Sequence, residues 1–339
     1  MHGTTILQHW IALLRRNFHR LQWLHSLWAL LLGIGVMFFF QRDFRFVRLI
    51  LGYLLIIWIA SLILHWESER FGLTEESHPK VRRIVLYMIQ NFYHEMLFFL
   101  LPLYYLSTTF TSRNILFFIV VVACALVASF DVVYWKWMTQ RGLFFQVFYA
   151  LVLFSCFNIF IPVLTGIRNS YSLYIAGALA CLSFATLNRP PREWFSWRSG
   201  LRLGTGLAVS MGLLFLLKSF IPPSPIYLLD AAFGLNFDRQ SFSMTTPVRS
   251  AAELGTSGKL YVLAAVKAPL GIHERVSVKW YRNGEKVSEG RVVELAGGRE
   301  KGFRLWSGLP LADRAPAQYR IDITTESGQL VGRAVLPAR

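Results

Sequence analysis

The sequence predicts a two-part fold, an α-helical membrane bundle of about seven transmembrane helices followed by an all-β immunoglobulin-like sandwich. Three observations predict it. Hydrophobic residues fill 54% of the 339 positions and charged residues only 16%, with a mean hydropathy of +0.43; soluble domains carry ~25% charged residues. The apolar material before residue 221 falls into runs near the ~20 residues that span a bilayer. After residue 222 the pattern changes to short alternating runs separated by turn signals. The N-terminal part, 1–221, holds 19 Lys+Arg and 8 Asp+Glu, and the C-terminal part, 222–339, holds 16 and 11. The boundary is placed at Ile221-Pro222-Pro223-Ser224-Pro225, where closely spaced prolines stop a helix and stiffen a linker. A linker of that kind is expected to carry few contacts and to leave the C-terminal domain separable.

The elements follow in chain order. Ile6, Leu7, Trp10, Ile11 and Leu14 recur at helical spacing ahead of Arg15, Arg16 and Arg20, the pattern of a helix lying in the membrane interface. Phe38-Phe39-Phe40-Gln41 offers none of the small residues of a signal cleavage site. Seven runs qualify as spans: 23–40, 46–65, 84–107, 115–134, 143–165, 171–187 and 201–221. Thirteen Lys and Arg fall in the loops on the N-terminal side and six on the other. The positive-inside rule then makes the N-terminus cytoplasmic, and an odd number of spans puts the C-terminal domain outside. The expected location is a bacterial inner membrane, multi-pass, with a periplasmic C-terminal domain.

The net charge of +16 is spread in short groups between apolar runs, not gathered on one stripe, so nucleic acid is not an expected partner. Membrane lipids are. The three cysteines, Cys124, Cys156 and Cys181, all lie inside spans, which excludes a disulfide scaffold. No phosphate-binding glycine loop, nucleophile elbow or Cys-x-x-Cys pair occurs, and no cofactor, metal or catalytic residue is assigned.

The third span carries Gln90, Asn91, His94 and Glu95 at spacings that share one helix face. Glu95 lies eleven residues past Ile84, ~16 Å deep. An ionised carboxylate at that depth costs at least ~2.5–3.5 kcal/mol unless it is paired, protonated or wet. Two readings stand: a site that relays protons, binds a metal or holds a substrate headgroup, or an internal polar cluster tied to Gln146 or Asn158 of the fifth span. Gly200, Gly204, Ala208 and Gly212 repeat every fourth position along the seventh span, the spacing that lets helices approach closely. That stripe serves either packing within the bundle or a homo-oligomer.

In the C-terminal part, strand-like runs occur at Lys259–Val266, Arg275–Arg282, Lys286–Leu295, Gly302–Trp306, Gln318–Thr325 and Gln329–Leu336. Asn283-Gly284 is a type I′ hairpin signal, Ser327-Gly328 a second hairpin and Gly297-Gly298 a third turn. Alternation buries Trp280 and turns Tyr281 outward, and it likewise turns Arg304 and Trp306 outward. It also makes Arg320, Asp322 and Thr324 the wet face of their strand. An exposed Tyr/Trp/Arg set suits a recognition surface.

The stretches Val278–Val287, Gly302–Ser307, Tyr319–Asp322 and Glu326–Gly332 resemble a bacterial domain family of unknown function found at the C-termini of multi-span membrane proteins. Its pattern runs Trp-Tyr-x-x-Gly, Arg-x-x-Ser, Trp-x-Val-x-Val and Gly-x-x-Leu-Gly, and Tyr319 replaces the usual Trp. The resemblance implies a bacterial envelope protein and supplies no activity. Three functions are carried forward. The first is a non-enzymatic envelope protein whose outer sandwich recognises a partner protein or an envelope glycan, with the bundle as anchor. The second is a transporter or lipid-handling protein using the Asn91/His94/Glu95 face. The third is a membrane enzyme acting on a lipid-linked substrate.

Overall fold

The computed structural model describes residues 79–130, 142–187, 196–254, 258–311 and 317–338, with isolated positions between 27 and 59 and at 133–134. Five α-helices occur among the described residues: α1 (Pro79–Ser107), α2 (Ile115–Ser129), α3 (Gly142–Thr165), α4 (Asn169–Leu187) and α5 (Trp197–Leu217). A 3-10 turn, Lys218–Phe220, extends the last. These helices fall on the third to seventh apolar runs, but only Gln146–Thr165 and Trp197–Phe220 are long and apolar enough to cross a membrane.

The seven-helix membrane bundle is therefore corrected to five described helices with two candidate spans. The physical reasons are local. At 15 residues, α2 is ~22 Å long, short of the ~30 Å of hydrocarbon. Lys80, Arg82, Arg83 and the Gln90–Glu95 group dilute α1, and Asn169, Ser170, Ser172, Ser183 and Thr186 dilute α4. The odd-parity argument for an outer C-terminal domain loses its basis with the count. The interfacial helix over Ile6–Arg20 lies outside the described residues, and the runs 23–40 and 46–65 largely so.

The chain divides into two compact units, whose described parts are chiefly 79–102 with 121–152, and 103–120 with 153–338. In the first, Tyr93 meets Phe148 and Tyr149 edge-on at 6.3 and 6.0 Å, and Tyr134 meets Phe148 at 6.0 Å. Gln90 Nε2 donates to the Ala128 carbonyl at 3.1 Å. In the second, buried Tyr104 donates its hydroxyl to the Ser155 carbonyl at 2.9 Å and accepts from Asn158 Nδ2 at 3.3 Å. Phe117 sits against Tyr104 and Phe154.

The second unit also contains a β-sandwich. One sheet has the order β4 (Pro247–Val248), β1 (Tyr227–Gly234), β5 (Lys259–Lys267), β9 (Phe303–Pro310). The other runs β11 (Leu330–Leu336), β10 (Tyr319–Thr325), β6 (His273–Arg282), β7 (Glu285–Glu289), with β8 (Val293–Ala296) also paired to β6. A small hairpin, β2 (Phe237–Asp238) and β3 (Ser243–Met244), stands apart. Asn283 and Gly284 have φ of 49° and 91°, as a type I′ turn requires, and the turn sets Arg282 opposite Glu285. The expected strand at Lys286–Leu295 is two strands, β7 and β8, because Gly290 breaks the ladder and donates its N–H to the Val278 carbonyl at 2.7 Å.

Trp280 is the centre of the sandwich, with no exposure. Its ring meets Phe233 of the facing sheet at 6.1 Å. Its Nε1–H donates to Ser307 Oγ at 3.0 Å, so the one polar atom of the largest core residue is satisfied across the sheets.

Two expectations about this region change. The Pro-rich segment, expected to carry few contacts, makes them: Ile221, Pro222, Pro223, Ser224, Pro225 and Ile226 are all buried, and Ser224 Oγ donates to the Leu103 carbonyl at 3.1 Å. The expected wet face of β10 is not wet, since Asp322 and Thr324 are 5% and 7% exposed. The loop after α1 lies over it.

Ser307→Ala should destabilise the protein by ~1–3 kcal/mol, the cost of a buried donor left without an acceptor. Trp280→Phe should cost more through lost volume. The double variant should cost less than the sum of the two, because both partners leave together. Thermal melting followed by near-ultraviolet circular dichroism of the full chain reads the cycle; strict additivity would show that the Trp280–Ser307 bond does not couple the sheets.

Candidate functional site

The strongest candidate is a cleft of about 670 Å³ in the second unit, and its floor is the outer face of β6, β10 and β11. Register alone builds that floor. Lys279 pairs with Asp322, Tyr281 with Arg320, and Asp322 with Arg333. One rank of side chains thus runs Lys279–Asp322–Arg333 across three strands.

The far wall is the loop from Thr108 to Asn114 and the first turn of α2. It is held from within and from the sheet. Asn114 Oδ1 accepts from the Thr109 N–H at 3.1 Å and from Ser112 Oγ at 2.6 Å. Its Nδ2 donates to the Leu330 carbonyl at 3.3 Å. Phe110, Ile115 and Leu116 make this wall apolar, and Ser219, just past α5, closes another side.

The electrostatics favour an anion. Arg333 grips Asp322 with two bonds, Nε to Oδ1 at 2.7 Å and Nη2 to Oδ2 at 2.9 Å. The carboxylate raises the guanidinium's pKa above its usual range. Arg333 Nη1 also donates to the Thr111 carbonyl at 2.9 Å, so this cation is committed to structure. Lys279 is looser, with the Glu289 carboxylate 3.9 Å from its ammonium. Glu289 is drawn chiefly to Lys286, whose hydrogen bond lowers its pKa. Arg113 is exposed, with its guanidinium 6.0 Å from the Phe220 ring. Lining the cleft are three cations and one carboxylate, Asp322.

Of the three outer-surface residues read from the sequence, the cleft contains Tyr281. Arg320 covers one face of its ring at 4.1 Å. Arg304 and Trp306 belong to β9, in the other sheet. Trp306 is stacked on Phe237 at 5.0 Å and carries the Arg239 guanidinium at 5.1 Å, with Tyr261 beside it. The three do not form one surface.

The polar residues of the helices are likewise divided. Gln90 and His94 are buried and Glu95 is exposed. Asn91 Nδ2 turns to its own helix, donating to the Tyr87 carbonyl at 3.0 Å, and His94 rests on Phe98 with centroids 4.6 Å apart. Gln146 is half-buried. Asn158 is wholly buried in the second unit, with Tyr104 and Ser172. The reason Glu95 parts from His94 is angular: adjacent helical residues point ~100° apart. No group of three or more His, Cys, Asp or Glu among the described residues is placed to hold a metal. On α5, a Cβ added at Gly200, Gly204 or Gly212 would meet nothing within 4 Å among the described residues, and Ala208 is exposed.

Arg113, Lys279 and Arg333 were not singled out from the sequence. A signal for part of the site did exist: Asp322 lies five residues before Ser327 and Arg333 five after Gly328, so a hairpin centred there sets them opposite.

Fold and cleft together define a protein that joins apolar helices to a β-sandwich with a basic recess. The chain belongs to a family of unknown function, DUF5924, whose model matches residues 4–261. The match ends before Val278. No curated protein and no solved structure matches the chain.

Arg333→Gln should destabilise the protein by ~1–3 kcal/mol, because buried Asp322 would lose two hydrogen bonds and keep only the ion pair from Arg320 Nε at 3.4 Å. Glu95→Gln should stay within ~0.5 kcal/mol of the parent, as expected for an exposed site. Detergent melting of the two variants separates them; a Glu95→Gln loss equal to that of Arg333→Gln would return Glu95 to the interior.

Proposed function

We propose that the protein is a non-enzymatic recognition protein of the bacterial envelope, attached to the inner membrane by its apolar helices and binding its ligand in the cleft on the sandwich. The cleft is the observation that carries the reading. It unites an aromatic ring, two loosely held cations and an apolar wall, the mixture that binding surfaces favour. Attachment is supported by α5 with its 3-10 turn, Trp197–Phe220, in which no residue is buried. Leu201, Val209, Leu213, Phe215 and Leu216 are each more than half exposed, and such a face calls for lipid.

Placement outside the cytoplasm is supported by the loops that meet the sandwich. Asn114 bonds Leu330, Ser170 bonds Glu274, and Gln329 bonds the Ile221 carbonyl. These turns carry only Arg113, Arg168 and Lys218 as cations, the poorer side by the positive-inside rule. The resemblance of Val278–Gly332 to an envelope domain points the same way. A lipid-handling or enzymatic role built on Asn91, His94 and Glu95 has less behind it, since these residues do not converge.

A photo-reactive phenylalanine analogue at position 110, at the cleft, should give an adduct in intact cells, detected by mass. The same analogue at Arg304, on the other sheet, should give none. Equal yields, or none at either position, would overturn the cleft as the recognition site.

A further inference from the structure

We propose that the cleft takes the phosphate headgroup of an anionic membrane lipid, with an acyl chain leaving along α2. This rests on the recognition reading and names its ligand. Three observations converge on it, all within the second unit. First, the cations exceed the carboxylates lining the cleft, and the surplus is Arg113 and Lys279, since Arg333 is spent on Asp322 and Thr111. An arginine and a lysine lining one recess, neither held by a carboxylate of that recess, suit a phosphate.

Second, the apolar wall does not end at the cleft. Phe110, Leu116, Ile119 and Val120 are 51%, 51%, 53% and 38% exposed. The last three lie at i, i+3 and i+4 on α2 and make a stripe that starts at the cleft mouth and continues along the helix. A soluble anion or an acidic peptide has no use for such a stripe beside a phosphate site; an acyl chain does. Third, the opposite side is also set for lipid. Ser219 lines the cleft, and Phe215, Leu216 and Leu217, one turn earlier, are exposed at 61%, 70% and 46%. Lys218 Nζ sits 4.6 Å from the Phe215 ring, the posture of a lysine snorkelling at a membrane surface. The headgroup site therefore lies where two exposed apolar helix ends meet a polar sheet.

The test uses the full chain in dodecylmaltoside micelles, titrated with dioleoylphosphatidylglycerol or dioleoylphosphatidylcholine, with retained lipid counted by native mass spectrometry. The parent should retain the glycerol lipid at roughly tenfold lower concentration, in line with the pull of two cations on an anionic headgroup. The Arg113→Gln/Lys279→Gln variant, whose changes fall on exposed and half-buried side chains, should melt like the parent and lose the preference. Arg304→Gln, on the other sheet, should keep it. Equal retention of the two lipids by the parent would overturn the proposal. Binding of glycerol 3-phosphate that the double variant loses, without any lipid preference, would also overturn it, in favour of a soluble anion, and would leave the recognition reading standing. If neither anion distinguishes parent from variant and position 110 gives no adduct in cells, both readings fall.

Discussion

The second unit turns on one ion pair. Asp322 stands on the outer face of a sheet edge region where a carboxylate would ordinarily be solvated, yet its residue is only 5% exposed. A buried carboxylate is tolerable only with a full set of donors, and Arg333 supplies two. Arg333 then spends a third N–H on the Thr111 carbonyl, so the group that neutralises Asp322 also fastens the loop that buries it. Remove the loop and the pair is hydrated; remove the arginine and the buried carboxylate keeps only the ion pair from Arg320 at 3.4 Å. The same logic repeats at Glu274. It is wholly buried, and it accepts from the Ser170 N–H at 2.9 Å, Ser170 Oγ at 3.1 Å and the Arg275 N–H at 2.9 Å. Gln329 and Asn114 add two more side chains that satisfy backbone carbonyls.

This pattern explains why a proline-rich segment need not be poor in contacts. Prolines at 222, 223 and 225 do end α5, as their missing N–H and fixed φ require. Whether the following domain swings free depends on what its surface offers the preceding helices, and polar groups such as Glu274, Asp322 and Gln329 are used for attachment rather than for water. Composition cannot distinguish those uses, since the residue types are the same.

Much of the sandwich was legible all the same. The type I′ turn at Asn283-Gly284 was readable because two consecutive positive φ values admit few residues, and Trp280 was placed in the core by alternation alone. The first strand, β1, was missed. Its Asp230-Ala231-Ala232 does not alternate, and the register slips between Leu228 and Asp230. The helices were found where apolar runs lay, but apolar length was taken as a measure of membrane crossing. Helix α1 shows why that fails: buried residues such as Gln90, Met96, Leu100 and Tyr104 serve protein packing as well as they would serve lipid. The grouping of Tyr281 with Arg304 and Trp306 failed for a related reason. Period two tells which way a side chain points from its own sheet, and it does not tell which of two sheets the strand joins.

The cleft follows from the attachment rather than standing beside it. A loop pinned to a sheet at Thr111 and Asn114 cannot cover the whole face, and what it leaves open is bounded by the residues that flank the pins. On the sheet those are Lys279 and Tyr281, which share a face with Asp322 because pairing sets 279 against 322 and 281 against 320. On the loop they are Phe110 and Arg113, either side of the pinned Thr111. Of the cations lining the recess, Arg333 neutralises the buried carboxylate, whereas Lys279 is left with Glu289 at 3.9 Å and Arg113 with the Phe220 ring at 6.0 Å. A basic recess at the joint between helices and sandwich is a by-product of how the joint is made. Its apolar rim, Phe110 and Leu116, continues into the exposed side of α2 at Ile119 and Val120.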